Sequence, residues 1–397
     1  MSPPSDADLK RIGRHTAARR TEMTLAAAHL FHQRGYHSVT VADVAAEVGM
    51  TGPAIYRYFG NKQGLLIAAI RSGLDLIDEC LPVGPTNRLP NVIRKIARVI
   101  LHRKDLWAIY QREARHLDRD SRRTLVDAYD ELLGRFTDYA LEARTDRSAT
   151  SADLPISACL AVLASPSIAP VAMPFERYCR ELSEIALRVV LMELPSGERG
   201  RSTPGDQTEV DVLWAVGREG QMLAAATHLF QDRGYRSVGI DDIAAQVGIA
   251  GPSIYHHFPN KADLLARLLD QATELLARNR RNAIDSAPTP GHQLHAMVRG
   301  YVELAVRHRE LFDVYITEVM NLPPRGGRAI AAAIRSDVEA WTQSLSLIRP
   351  ELDTQSVLLR TQAARAVIHD LIRVGQLHAR PTFADDVDRI AMSILFD

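Results

Sequence analysis

The sequence predicts an all-α protein built twice, as two tandem units, each a three-helix head followed by a larger helical body. Three observations carry this expectation. Residues 26–66 align without a gap on residues 225–265, 199 positions further on, and 24 of the 41 pairs are identical, far above chance. The match continues more weakly at a spacing of 205, where Leu106, Trp107, Tyr110 and Glu113 pair with Leu311, Phe312, Tyr315 and Glu318, and Ile185-Ala186 with Ile390-Ala391. Finally, Leu-, Ala- and Arg-rich segments place apolar residues at i, i+3, i+4 and i+7, and no segment alternates convincingly as a strand would.

The expected order starts with a basic arm over residues 1–16. Lys10, Arg11, Arg14, Arg19 and Arg20 occur with no acid among residues 10–20. A head over 17–77 and a body over 78–194 follow. The stretch PSGERGRSTPGDQTEVD, residues 195–211, marks a flexible linker, assigned to 195–215, by its Pro, Gly and Ser content. The second head takes 216–276 and the second body 277–397. Within the first head, Leu25, Ala28 and Phe31, with Leu30 beside them, give a first helix its apolar face. Gly35 suits the left-handed position that ends it. Thr40-Val41-Ala42-Asp43 fits a capping box with a short acidic partner. Val41, Val44, Ala45 and Val48 form the stripe of a short second helix. Gly49 allows a tight turn, and Thr51 is placed to cap a third helix. Pro53 sits in that helix's first turn, where a missing N–H costs little. Ile55 and Phe59, four apart, face the core, which turns Gly52, Ala54, Tyr56, Arg57 and Tyr58 outward. At the ends of the bodies, Tyr178, Leu182, Ile185 and Val189 form one helical stripe, and Phe383, Val387, Ile390 and Ile394 answer it. Pro166, Pro170 and Pro174 interrupt the first body where the second runs on through Ile368, Leu371 and Val374.

Two short helices joined by a Gly-containing turn, with small and aromatic-polar residues on the outer face of the second, describe a helix-turn-helix. Its second helix is expected in a DNA major groove. Small residues at the helix start let backbone approach the duplex, and Arg57 can donate two hydrogen bonds to a guanine edge. Tyr56 and Lys62 suit phosphate contacts that fix register, and the basic arm adds local positive charge.

The residues Phe31, Gly35, Thr40, Ala45, Gly49, Gly52, Ile55, Tyr56, Phe59, Asn61-Lys62 and Leu65-Leu66 together resemble the N-terminal domain of TetR-type bacterial repressors. Phe230, Gly234, Ala244, Gly248, Gly251, Ile254, Tyr255, Phe258, Asn260-Lys261 and Leu264-Leu265 repeat the pattern. Two such units in one chain are similar to the tandem regulators of lipid and sterol uptake operons in actinobacteria. The resemblance implies a cytoplasmic transcriptional repressor. Its heads bind a double-stranded operator. Its bodies dimerise through their terminal helices and take a small apolar ligand that releases the DNA. The family's DNA-contacting positions fall on Thr40, Thr51, Gly52, Ala54, Tyr56, Arg57, Tyr58 and Lys62. In the second head they fall on Gly239, Ala250, Gly251, Ser253, Tyr255, His256, His257 and Lys261. There Asp241 also replaces Ala42, and no basic arm precedes the copy. The identical pairs are mostly scaffold, and the changed pairs lie on the expected groove-facing surface. Two heads and two bodies in one chain lead to the expectation that the units pair intramolecularly, as an ordinary dimer would between chains. Candidate ligand contacts are Trp107, Tyr110 and Glu113 in the first body and Phe312, Tyr315 and Glu318 in the second. For the two glutamates, a hydrogen-bonding carboxylate between helices is the alternative.

Composition removes several other classes. Lys plus Arg and Asp plus Glu number 48 each, so any basic surface is local. Cys80, Cys159 and Cys179 are spaced like neither a zinc site nor a disulfide framework, and read as reduced thiols. No apolar run of about 18 residues predicts a membrane span. No Gly-rich phosphate loop, nucleophile elbow or metal-ligand spacing appears, so neither an enzyme nor a cofactor is expected. His256 and His257 are adjacent and on a helix would not face one metal. A helical scaffold with a decayed DNA head and a nonspecific architectural DNA binder remain as alternatives. The intact first motif argues against the former, and the balanced charge against the latter.

Overall fold

The structure, a computed structural model, describes residues 6–81, 89–144, 149–194, 217–373, 377 and 380–396. Helices and short 3-10 turns are its only regular elements among these residues. The first copy contributes α1 (Asp6–Arg34), α2 (Val41–Glu47), α3 (Gly52–Phe59), α4 (Lys62–Asp78), α5 (Leu89–His102), α6 (Lys104–Glu113), α7 (Arg119–Ala143), α8 (Ala149–Ala164) and α9 (Phe175–Leu191). The second contributes α10 (Arg218–Arg233), α11 (Ile240–Val247), α12 (Gly251–Ile254), α13 (Lys261–Ser286), α14 (Pro290–Arg307), α15 (Arg309–Glu318), α16 (Pro324–Ile348), α17 (Thr354–Leu371) and α18 (Phe383–Phe396). The linker 195–215 and residues 1–5 of the arm lie outside the described residues. The arm's backbone from Asp6 onward continues α1. The side chains of Lys10, Arg11 and Arg14 are likewise outside what is described.

Local chemistry explains the first head. Met23, Ala27, Ala28, Leu30 and Phe31 are buried on α1, whereas Leu25, expected on that face, is 38% exposed. Gly35 ends the helix with φ 76° and ψ 151°, a positive φ that favours glycine. The extended ψ makes this a departure from the left-handed cap expected. The Thr40 hydroxyl accepts from the Asp43 backbone N–H at 3.1 Å, and Asp43 Oδ2 accepts from the Thr40 N–H at 2.6 Å, which completes the capping box of α2. Those hydrogen bonds hold the Asp43 carboxyl below its ordinary range. Thr51 occupies the N-cap of α3, but its side chain makes no capping bond.

The chain resolves into two compact units that do not coincide with the two copies. One takes in residues 1–86 and 98–136, the other 87–97 and 137–397, so the division passes through α5 and α7. In the first unit α1, α4 and α6 pack on one another. A methyl group on Gly73 would come 2.9 Å from Leu106 Cβ, which shows how closely α4 and α6 approach there. In the second unit α8 lies against α9 and α17, and α17 against α18. The stripes on α9 and α18 are buried: Leu182, Val387 and Ile390 have no exposure, and Tyr178, Ile185, Val189, Phe383 and Ile394 have 3% or less. The three prolines act as expected. After α8 comes a 3-10 turn at Ser165–Ser167, and α9 begins only at Phe175, whereas α17 continues to Leu371. Gln355 Nε2 donates to the Ala172 carbonyl of the proline-broken stretch at 2.6 Å. Beside it, Arg177 Nη2 donates to Asp353 at 2.7 Å and its Nε to Glu181 at 2.6 Å, while the Ser356 hydroxyl donates to Glu181 at 2.6 Å.

The second body has a polar core. Arg365, 4% exposed, pairs with Asp337, 3% exposed, and its guanidinium lies 5.0 Å from the Tyr301 ring centroid and 5.8 Å from that of Trp341. The Tyr301 hydroxyl and His369 Nε2 are 2.7 Å apart. Burial alone would lower the Arg365 pKa, but Tyr301 and Asp337 beside it outweigh that, so it stays charged. At the spacing of 205, Tyr301, Asp337, Trp341, Arg365 and His369 correspond to Ile96, Leu132, Phe136, Leu160 and Ala164, all apolar and buried.

This core has a pH signature. Burial, with Arg365 and Arg373 nearby, pushes the His369 pKa well below its ordinary value of 6.5. The folded state therefore binds fewer protons than the unfolded state over a window extending downward from pH 6.5. Stability present above that value falls as the pH drops through the window, by at most about 1.4 kcal/mol per pH unit. Replacing His369 with Gln is expected to flatten this acid limb. Thermal melts of both proteins between pH 7 and 5 check it, and parallel curves would remove His369 as the cause.

Candidate nucleic-acid interface

In the first head, α3 is held by Ile55 and Phe59, 1% and 9% exposed, packed into the head core. Pro53 in its first turn supplies the φ a helix needs. This leaves Tyr56 51% exposed and Arg57 exposed. Arg57 has no hydrogen bond or ion pair among the described residues, so its five N–H donors are available. Thr40 and Thr51 are also exposed, and Gly52 is half-buried. Two of the expected outward residues are placed differently. Ala54 is 6% exposed and lies on the inner side of α3, next to the buried Ile55. Tyr58 is half-buried against the core, with its carbonyl accepting from Arg20 Nη1 at 3.5 Å. Lys62 also departs from a freely exposed lysine. Its Nζ lies 4.3 Å from the Tyr36 ring centroid, and desolvation lowers its pKa.

The second head keeps the frame and differs at the candidate DNA-facing positions. Its third helix, α12, has four residues where α3 has eight. His256 and His257 are exposed but lie in the turn beyond it, with Tyr255 at its C-cap and 56% exposed. Ser253 and Gly251 are half-buried; Gly239 and Ala250 are exposed. Gly239 has no side chain to cap α11, so only half of a capping box remains, with Asp242 Oδ2 accepting from the Gly239 N–H at 2.7 Å. Lys261 Nζ donates to the carbonyls of Tyr235 and Val238, each at 2.8 Å, and lies 4.3 Å from the Tyr235 ring centroid. Two of its three donors thus brace the turn before α11.

The two recurring glutamates join body helix to head. Glu113, at the end of α6 and 7% exposed, accepts from the Tyr36 N–H at 3.3 Å. Glu318, at the end of α15 and fully buried, accepts from the Tyr235 N–H at 3.1 Å. Both thus make the hydrogen bond between helices that was the alternative to a ligand contact. The physical reason is the buried backbone N–H that each 3-10 turn leaves without a helical partner. Around Glu113 sit His116, its Nε2 3.4 Å from the carboxylate, and His37, 3.2 Å from His116. The second head has Arg236 on Asn321 instead, at 2.8 Å. Sequence reading carried a signal for this joint in the shared recurrence of Tyr36/Tyr235 and Glu113/Glu318.

The remaining candidate ligand contacts separate. Trp107 and Tyr110 line an apolar crevice with Ile70, Leu74, Val99 and Ile100. Its free volume is about 10 Å³, room for one water-sized group. Trp107 Nε1 is buried there with no hydrogen-bond partner among the described residues. Phe312 and Tyr315 are 0% and 3% exposed, and the Phe312 ring lies edge-on to Tyr301 at 5.8 Å within the polar core. No helix of the described residues is long and apolar enough to cross a membrane.

Comparison with known proteins agrees with the doubled head. The family described as bacterial regulatory proteins, tetR family, matches at residues 24–69 and again at 222–268. The chain is 27% identical over 193 residues to the HTH-type transcriptional activator FasR of Mycolicibacterium smegmatis, covering 47% of this chain and 78% of that protein. It is 30% identical over 105 residues to the HTH-type transcriptional repressor KstR2 of Mycobacterium tuberculosis, covering 26% of this chain and 52% of that one. Among solved structures, that of the ketosteroid transcriptional regulator KstR2 of Mycobacterium tuberculosis superposes with a TM-score of 0.41 at 26% identity, covering 46% of this chain and 94% of the other.

Proposed function

We propose that the chain, which matches the tetR family at residues 24–69 and again at 222–268, is a DNA-binding transcriptional regulator of that kind, a repressor released from its operator by an apolar effector, with both units acting as one intramolecular pair. The observation that carries the DNA reading is α3, seated by Ile55 and Phe59 so that Tyr56 and an unpaired Arg57 face outward. Thr40 and Thr51 are exposed in the same head, Gly52 and Tyr58 are half-buried, and the Lys62 ammonium lies over the Tyr36 ring.

The intramolecular pair is supported by α8 and α9 packing with α17 and α18, and by Arg177 bridging Glu181 to Asp353. These are the terminal helices that pair chains in a two-fold dimer of this kind. The heads differ at Arg57/His256 and Tyr58/His257, so the operator is expected to be an imperfect palindrome.

The effector is assigned to the first body. The Trp107–Tyr110 crevice is apolar, and Trp107 Nε1 there has no partner among the described residues; closed, it holds only a water-sized group, so a lipid-like molecule with an acceptor group needs the crevice widened. Entry must part α4 from α6. Motion of α6 reaches the head through Glu113 and the Tyr36 N–H. In the second body Phe312, the counterpart of Trp107, packs instead against Tyr301 of the polar core.

Titrating the purified protein on DNA from its own upstream region, with and without fatty acids, sterols and acyl thioesters, tests this. Salt-dependent, sequence-preferring binding is expected. One effector per chain should weaken DNA, and DNA should weaken the effector by the same factor. Equal affinity for operator and scrambled DNA would overturn the regulator reading. In the same assay, Glu113→Gln is expected to keep DNA binding while reducing the effector's influence on it several-fold. Unchanged coupling would take Glu113 out of the path.

A further inference from the structure

The two heads share a scaffold, so a difference at matched positions is a controlled comparison within one molecule. Gly52 and Gly251 open the third helices of the two heads and pair in the repeat. A methyl group built on Gly52 meets nothing within 4 Å. On Gly251 it would come 2.1 Å from Asp241 Oδ1. A carboxylate oxygen therefore lies over the backbone at the start of α12, where the first head leaves the same backbone bare. Asp241 stands in the place of Ala42.

The capping chemistry of α11 does not require this carboxylate. Asp242, the counterpart of Asp43, already accepts from the Gly239 N–H. Asp241 is exposed and has no hydrogen bond or ion pair among the described residues. Nearby positive charge is thin. His256 replaces Arg57, Ala250 replaces the Thr51 hydroxyl, and Lys261 has two donors committed to carbonyls. Backbone at the start of a reading helix is where small residues admit the duplex. A negative charge there faces phosphates spaced every few ångströms along DNA.

We propose that Asp241 sets the division of labour between the heads: its carboxylate, lying over Gly251, keeps the second head from closing on the DNA backbone, so the first head supplies most of the affinity and the second reads its half-site weakly. This rests on the DNA-binding reading above. A different role for Asp241 is also available, since an acid in the first turn of α11 suits the helix dipole. The two roles separate in DNA binding, because a purely helix-stabilising acid leaves it unchanged.

Reciprocal swaps in the full chain test it: Asp241→Ala, Asp241→Asn and Ala42→Asp, each melted to confirm folding. Each is then measured on operator and scrambled duplex across a salt series and footprinted. Asp241→Ala is expected to tighten binding about tenfold on both duplexes, to steepen the salt dependence by about one phosphate contact and to extend protection over the weaker half-site. Asp241→Asn should recover most of that gain, since it removes the charge. Ala42→Asp should weaken binding by a similar factor. If wild-type protein binds the operator and both Asp241 variants match it in affinity, salt slope and footprint, the proposal is overturned. Absence of salt-dependent DNA binding by the wild type is a different result, which overturns the regulator reading and this proposal together.

Discussion

Replacing Asp337 with Ala is expected to destabilise the second body by about 3–5 kcal/mol, enough to remove a large part of the stability of an ordinary domain. Asp337 and Arg365 are 3% and 4% exposed and bonded to each other, and Arg280 adds a second cation 3.7 Å from Asp337. Without the carboxylate, Arg365 remains charged among Tyr301, Trp341 and apolar side chains. Cation–π contact with two rings offsets only part of the lost ion pair. The duplication itself specifies the control. The first copy has Leu132 and Leu160 at these positions. The double variant D337L/R365L should therefore recover most of the loss, since a buried ion pair exchanged for packed hydrophobic residues is commonly neutral or better. Denaturant unfolding of the wild type and the two variants checks both statements. A double variant as unstable as Asp337→Ala would show that the cavity shape, rather than the unpaired charge, dominates.

Replacing Arg57 with Ala is expected to cost about 1–3 kcal/mol on the operator and far less on scrambled DNA, because a bidentate guanidinium discriminates guanine edges. Arg57 is exposed on α3 and its donors have no partner among the described residues, so its removal leaves no described buried group unpaired. Lys62→Ala should behave differently. It is expected to weaken binding to all duplexes alike. It should also lower the melting temperature, since its ammonium rests on the Tyr36 ring. Binding and melting curves for the two variants separate these outcomes. Equal losses for Arg57→Ala on operator and scrambled duplex would move it from base readout to phosphate contact.

How far the sequence could be read depended on the range of the interactions. The doubled all-helical plan, the capping box at Thr40 and Asp43, the seat of α3 on Ile55 and Phe59, and the break at Pro166–Pro174 are local matters. Their causes are helix periodicity, capping chemistry and proline's fixed φ, each visible within a few residues. Ala54 was misplaced because its burial depends on how the head closes around α3. Lys62 was assigned only to DNA because Tyr36, which holds it, is distant in sequence. Glu113 and Glu318 look alike as ligand anchors or as interhelix acceptors until the unpaired N–H groups of Tyr36 and Tyr235 are located.

The sequence alone therefore determined the helical class, the duplication and the position of α3, the candidate reading helix. Only the tertiary structure decided that the second body's core is an ion pair among aromatics, that the recurring glutamates join body helix to head, and that Asp241 lies over Gly251. The physical reason is that helix formation follows from neighbours within one or two turns. Desolvating a charge, satisfying a buried N–H or covering a backbone depends on groups brought together by folding from far apart along the chain.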